Sequence, residues 1–115
     1  MTRSTQEVFA SHKEAIENGD IEKLAADYAE DASLLTLDGA FRGREAIMRD
    51  FFGAWLSKSP DFKISFDKVV FEGETCLLQW SSKTPGMTIP VGLGIFFIED
   101  GLIKRQAEWF QVVPG

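Results

Sequence analysis

The sequence predicts an α+β fold, with three N-terminal helices laid on one face of a curved antiparallel sheet. Two patterns carry that expectation. Apolar residues recur at helical spacing through the first half, and from Phe62 onward the chain alternates at strand period with turn residues between the runs. At 115 residues the chain is one domain by length, spanning 1–115, and should bury roughly 65% of its unfolded surface.

The first helix is predicted over Ser4–Asn18, with Val8, Phe9, His12, Ala15 and Ile16 as its inward stripe. Gly19 stops it, and Asp20 caps a second helix over Asp20–Glu30 whose stripe is Ile21, Leu24, Ala25 and Tyr28. A short strand, Ser33–Leu37, ends at the Asp38-Gly39 turn. A third helix follows over Arg44–Leu56, rich in Phe51, Phe52 and Trp55, and Pro60 closes that region. Four strands come next: Phe62–Phe71, Thr75–Ser82, Thr88–Ile98 and Leu102–Val112. Their connections are Glu72-Gly73-Glu74, Thr84-Pro85-Gly86 and Glu99-Asp100-Gly101, each with turn chemistry.

Composition removes several function classes. The net charge is −6 and the basic residues are scattered, so no nucleic-acid partner is expected. One His and one Cys, with no ligand spacing, argue against a metal, and no cofactor motif is present. The lone Cys76 cannot form an internal disulfide and falls in a strand, where a buried, inert thiol is expected. The start MTRSTQEV lacks an apolar signal core, and the run Ile89–Ile98 is too short to cross a bilayer. A soluble cytoplasmic domain without a membrane partner is the expectation. Ten Phe and 44% hydrophobic residues supply enough apolar surface to line a cavity.

The last strand does not separate into an apolar and a polar face. Leu102, Lys104, Gln106, Glu108 and Phe110 share one side, and Ile103, Arg105, Ala107 and Trp109 the other. An acid between aromatic residues either sits at a solvated edge or points into a cavity.

The order of elements resembles the NTF2-like superfamily, whose curved sheet wraps a conical cavity closed by helices. Asn18-Gly19-Asp20, Tyr28-Ala29-Glu30-Asp31-Ala32 and Gly43-Arg44-Glu45-Ala46-Ile47 look like SnoaL-type members. Leu93-Gly94-Ile95-Phe96, Glu99-Asp100-Gly101-Leu102-Ile103 and Glu108-Trp109-Phe110 are similar in register to limonene-epoxide-hydrolase relatives. The resemblance implies that one Asp of the epoxide-hydrolase site falls on Glu108, its Arg on Gln79, the other Asp on Ser81 and the water-positioning Asn on Thr36. Against ketosteroid isomerases of this fold, the Asp base falls on Thr36, the Tyr on His12 and the protonated Asp on Gly94. Neither set of ionisable groups is complete. Fold alone does not assign function in such a superfamily.

Glu108 is the sharpest candidate, as a general acid/base whose burial among aromatics would raise its pKa. The plainer reading is a carboxylate satisfied by neighbours or by water. His12 reads as a core histidine or as a proton-relay partner of Glu108. Tyr28, Thr36, Trp55, Gln79, Ser81, Gly94, Phe96, Gln106 and Phe110 are the expected ligand-contacting positions. Gly92 and Gly94 mark either a bend or a place where something approaches closely. Alternation sets Leu78, Trp80, Leu93, Ile95, Phe97 and Trp109 on the sheet's outer face, where they would form a homodimer interface. The expected ligand is a small apolar molecule. Two roles compete: an acid/base isomerase, lyase or cyclase, and a binding or carrier protein without chemistry.

Overall fold

A computed structural model describes residues 2–58 and 61–114, so Pro60, the expected end of the helical region, lies outside the described residues. Helix α1 spans Thr5–Asn18 and opens on a reciprocal cap: Glu7 N donates to Ser4 Oγ at 3.1 Å, and Ser4 N to Glu7 Oε1 at 2.8 Å. Gly19 ends it in the left-handed region, at φ 64°. Helix α2 spans Ile21–Ala26, and the Asp20 carboxylate receives Lys23 N at its start. The inward stripe of α1 buries Val8, Phe9, His12 and Ala15, as its spacing requires.

The second helix stops earlier than its periodicity suggests. Asp27 is 1% exposed. Its carboxylate takes Arg3 Nη1 at 2.8 Å and Ser11 Oγ at 2.9 Å, while its carbonyl accepts Ile103 N at 2.8 Å. That anchoring turns the chain into β1, Tyr28–Thr36, so Tyr28 stands on a strand and not on a helix. Pairing with β6 outweighs the weak preference of four more residues for a helix.

A tight turn links β1 to β2, Gly39–Arg42. The third helical region starts as α3, Arg44–Ala46, widens into a π-helical stretch over Ile47–Phe52, and finishes as α4, Gly53–Lys58. The wide turn lets Gly53 N donate to Met48 O, and a Cβ at Gly53 would stand 2.8 Å from that oxygen. Ile47, Met48 and Phe52 are thereby turned inward.

Strands β3 (Ile64–Glu72), β4 (Thr75–Thr84), β5 (Met87–Glu99) and β6 (Leu102–Phe110) form the meander. The sheet has six strands in the order β2-β1-β6-β5-β4-β3. Its neighbours are antiparallel except β1 and β6, which run parallel, a pairing the expected all-antiparallel sheet did not include. Register shifts at Phe66/Lys68, Trp80/Ser82 and Phe97/Ile98 bend the strands. The shift in β6 also turns Ile103 into the core beside Gln106 and Glu108, so two-residue alternation fails there. Beyond β6, Val113 makes a single bridge to Thr88 in place of a continued strand.

No described helix is long and apolar enough to cross a membrane. Cys76 is buried, and burial pushes its thiol up to about 11.

Candidate functional site

The concave face of the sheet and the helices line a cavity of about 80 Å³. Since about 10–15 Å³ of such space holds one water, the cavity exceeds a single solvent site. Helix α1 supplies His12, Ala15 and Ile16, and the third helical region supplies Phe51, Phe52, Trp55 and Leu56. The sheet side adds Ile64, Phe66, Leu78, Trp80, Phe96, Gln106, Glu108 and Phe110, with Phe62 just before β3. Aromatic edges meet around it: Trp55 packs on Phe62 and Phe110, and Trp80 on Phe110, at centroid distances of 5.7, 5.3 and 5.6 Å. Among the described residues Asp20 and Glu108 are the acids in this lining, and no Lys or Arg belongs to it.

Glu108 is 9% exposed and is held from two sides. Trp80 Nε1 donates to Oε1 at 3.1 Å, and Gln106 Nε2 donates to Oε2 at 2.7 Å. Tyr28 Oη donates in turn to Gln106 Oε1. Burial pushes the Glu108 carboxyl up to about 7, and the bonds from Gln106 and Trp80 oppose that rise by favouring the ionised form. Tyr28 is fully enclosed, and burial, followed by the charges of Glu108 and Asp27, holds its phenol well above the ordinary range.

Strand β5 makes room for this arrangement by lacking side chains. Gly94 lies directly opposite Glu108 and Gly92 opposite Trp80 in the strand pairing. A Cβ at Gly94 would stand 2.3 Å from Glu108 Oε2, and one at Gly92 would stand 2.2 Å from the Trp80 ring. The carboxylate and the indole therefore lie across β5 and meet over it. Of the two readings of these glycines, close approach is the one the geometry supports.

His12 lines the same cavity, with its ring 5.0 Å from that of Phe96 and 6.1 Å from that of Tyr28. Burial pushes its imidazole down to about 4, so it is neutral at physiological pH. Its Nδ1 is enclosed and has no hydrogen-bond partner among the described residues.

The structure brings His12, Trp55, Phe96, Gln106, Glu108 and Phe110 to one cavity. It separates the others. Gln79 is exposed and Ser81 half-buried on the outer face, where Ser81 Oγ donates to Asp67 at 2.7 Å. Leu78 and Trp80, expected on the outer face, are buried inside. The implied epoxide-hydrolase register in β4 is thus one residue out: the inward neighbours of Glu108 are an indole and a leucine. Thr36 sits at the end of β1, where its Oγ accepts Asp38 N at 3.1 Å in the turn, away from the cavity. Tyr28 stands behind the wall, and Gly94 contributes space and no side-chain contact. Trp80 was the residue missed, and its signal was Gly92 two strand positions from Gly94. Among the described residues no group of three His, Cys, Asp or Glu side chains gathers to hold a metal.

The sequence matches the family model described as a SnoaL-like domain over residues 9–106. The chain is a SnoaL-like domain. No curated protein matches it in sequence. Solved structures similar to this SnoaL-like domain include an NTF2-like protein of unknown function from Cytophaga hutchinsonii. That protein is 21% identical with a TM-score of 0.79, over 96% of this chain and 93% of the other. A candidate ketosteroid isomerase from Kribbella flavida is 18% identical with a TM-score of 0.80, over 96% and 82%. An LEH-like epoxide hydrolase of M. tuberculosis is 14% identical with a TM-score of 0.73, over 93% and 82%. At these identities the likeness establishes a shared fold. The SnoaL-like domain is accordingly NTF2-like in architecture, an α+β cone with an open six-stranded sheet.

Proposed function

We propose that this SnoaL-like domain binds a small, uncharged, largely apolar molecule in the cone and moves a proton on it through Glu108. The observation that carries the reading is a carboxyl group enclosed by aromatic rings and raised to about 7, close to the pH at which a general acid/base is most effective. Isomerisation or elimination fits best, on a substrate with its own activating carbonyl. The Glu108 carboxylate takes a proton from the carbon beside the carbonyl, negative charge moves onto the carbonyl oxygen, and the acid formed returns the proton at a second position. His12 stays neutral, so its role is a hydrogen bond to the developing oxyanion and not delivery of a full positive charge. The similar structures from Kribbella flavida and M. tuberculosis bear names for isomerase and epoxide-hydrolase chemistry, and the former class agrees better with a single inward carboxylate.

The test is turnover of small cyclic enones by wild type and by Glu108→Gln. Isomerisation should rise with pH through about 7, the midpoint of Glu108. It should fall about 10²–10⁴-fold in the variant. Equal turnover by the two proteins would remove Glu108 from the chemistry. A second reading, ligand binding without chemistry, is favoured because each Glu108 carboxylate oxygen already accepts a hydrogen bond from the protein, one from Trp80 and one from Gln106. Ligand-dependent quenching of Trp55 and Trp80 fluorescence, with no turnover across enones and epoxides, would decide for it.

We further propose that two copies associate through the outer face. Leu77, Leu93, Phe97 and Trp109 are each more than 40% exposed there, beside half-buried Ile95. Apolar area of that kind favours association, with aromatic residues as its strongest contributors. Sedimentation at tens of micromolar should give a dimer, and Trp109→Glu should give a folded monomer. A wild-type monomer at that concentration would refute the interface.

A further inference from the structure

Tyr28 reaches Glu108 through one amide. Its hydroxyl donates to Gln106 Oε1, Gln106 Nε2 donates to Glu108 Oε2 at 2.7 Å, and Trp80 Nε1 holds the other carboxylate oxygen at 3.1 Å. Tyr28 is fully buried and lies outside the cavity lining, and Gln106 is its hydroxyl's partner among the described residues. A primary amide has two opposite hydrogen-bonding faces. Turned by half a rotation about its last torsion, Gln106 would aim its carbonyl at Glu108. That face repels a carboxylate and accepts from a carboxylic acid, so the orientation of the amide selects the protonation state of its neighbour.

We propose that Tyr28 is a positioning residue: by donating to Gln106 it holds the amide with its NH₂ towards Glu108, and so keeps the buried Glu108 available as a proton acceptor. The turned amide would make the Tyr28 oxygen an acceptor and leave its hydroxyl hydrogen without a partner in a sealed site. That is the costly side of a buried hydrogen bond. Gly94 is the third part of the device, because the space above it lets Oε2 come within reach of Gln106. The proposal rests on the reading of Glu108 as the acid/base group and names what holds that group in its basic form.

The surroundings leave few competing charges. Helix α1 contributes His12, which is neutral, and Asp20 at the start of α2 lines the same cavity. Asp27, next to Tyr28, is paired with Arg3 at 2.8 Å and bonded to Ser11. Strands β4 and β5 present Leu78, Trp80, Gly94 and Phe96 to Glu108's side of the cavity, and the π-helical stretch presents Phe51 and Phe52, none of which titrates.

The experiment follows the side-chain carboxyl of Glu108 by NMR against pH in wild type, Tyr28→Phe, Gln106→Leu and the double variant. Tyr28→Phe keeps the ring against Phe52 and removes only the donor. It should raise the Glu108 midpoint by about one pH unit, a tenfold rise in proton affinity. Gln106→Leu should raise the midpoint at least as far, and the double variant should match Gln106→Leu alone. An unchanged midpoint in Tyr28→Phe, or additive shifts in the double variant, would overturn the proposal. In the wild-type protein the Gln106 NH₂ signals should move with the Glu108 midpoint, and signals indifferent to it would overturn the proposal even if no variant folded. The midpoint is read without turnover, so its failure is separable from failure of the acid/base reading, which turnover by Glu108→Gln measures.

Discussion

Folding stability should be nearly flat between pH 4.5 and 6.5, because two buried groups pull it in opposite directions over that range. Glu108 is raised from 4.5 to about 7 in the folded protein, so across this window the unfolded chain has released a proton that the folded chain retains. Stability then falls by about 1.4 kcal/mol per pH unit. His12 is lowered from 6.5 to about 4, so the unfolded chain carries a proton that the folded chain excludes. Stability then rises by about 1.4 kcal/mol per pH unit. The two slopes cancel. Glu108→Gln should expose the His12 term, with stability climbing from about pH 4 to 6.5. His12→Phe should expose the Glu108 term, with stability dropping from about pH 4.5 to 7. Each exposed change is on the order of 3 kcal/mol across its full range. The exposed carboxylates of Glu7, Asp31, Asp50 and Asp67 all titrate lower than usual, so what they lose on acidification is lost below this window. Urea unfolding at half-unit pH steps measures the three slopes, and slopes of the same sign in both variants would refute the opposed titrations.

Replacing Gly92 or Gly94 by alanine should destabilise the protein, although strand propensity alone favours alanine by roughly 0.5–1 kcal/mol. At Gly92 the added carbon would sit 2.2, 2.5 and 2.6 Å from three atoms of the Trp80 ring, which cannot bend away. A loss of about 1–3 kcal/mol is expected from such overpacking. At Gly94 the nearest atom is the Glu108 carboxylate oxygen at 2.3 Å, the end of a flexible side chain. Gly94→Ala should therefore cost less stability but pull Glu108 from Gln106 and raise its midpoint further. Thermal unfolding ranks the two variants, and NMR titration reads the second effect. An increase in stability in both would mean that the side chains do not cross over β5.

Local chemistry was legible wherever a residue's neighbours in sequence were also its neighbours in space. Gly19 and Asp20 mark the helix ends with backbone freedom and a side-chain cap, and the structure uses both of them there. The shared face of Gln106, Glu108 and Phe110 also followed from alternation, because no bulge intervenes between them. The face expected to be inward in β4 was the wrong one. Leu78 and Trp80 form the more apolar set and face the core, whereas the implied family register placed the polar pair Gln79 and Ser81 inward.

Two further features were decided between segments distant in sequence. The start of β1 at Tyr28 depends on Asp27 being tied to Arg3, Ser11 and Ile103, contacts that outweigh helical periodicity. The place of Trp80 depends on Gly92, one strand away, whose missing side chain is the space its ring fills. The sequence by itself determined an α+β layout, its caps and turns, and an acid set among aromatic residues. Only the tertiary structure decided what that acid touches and that it titrates near neutrality, because desolvation and hydrogen bonding are sums over atoms that meet only when the sheet curves and the helices close on it.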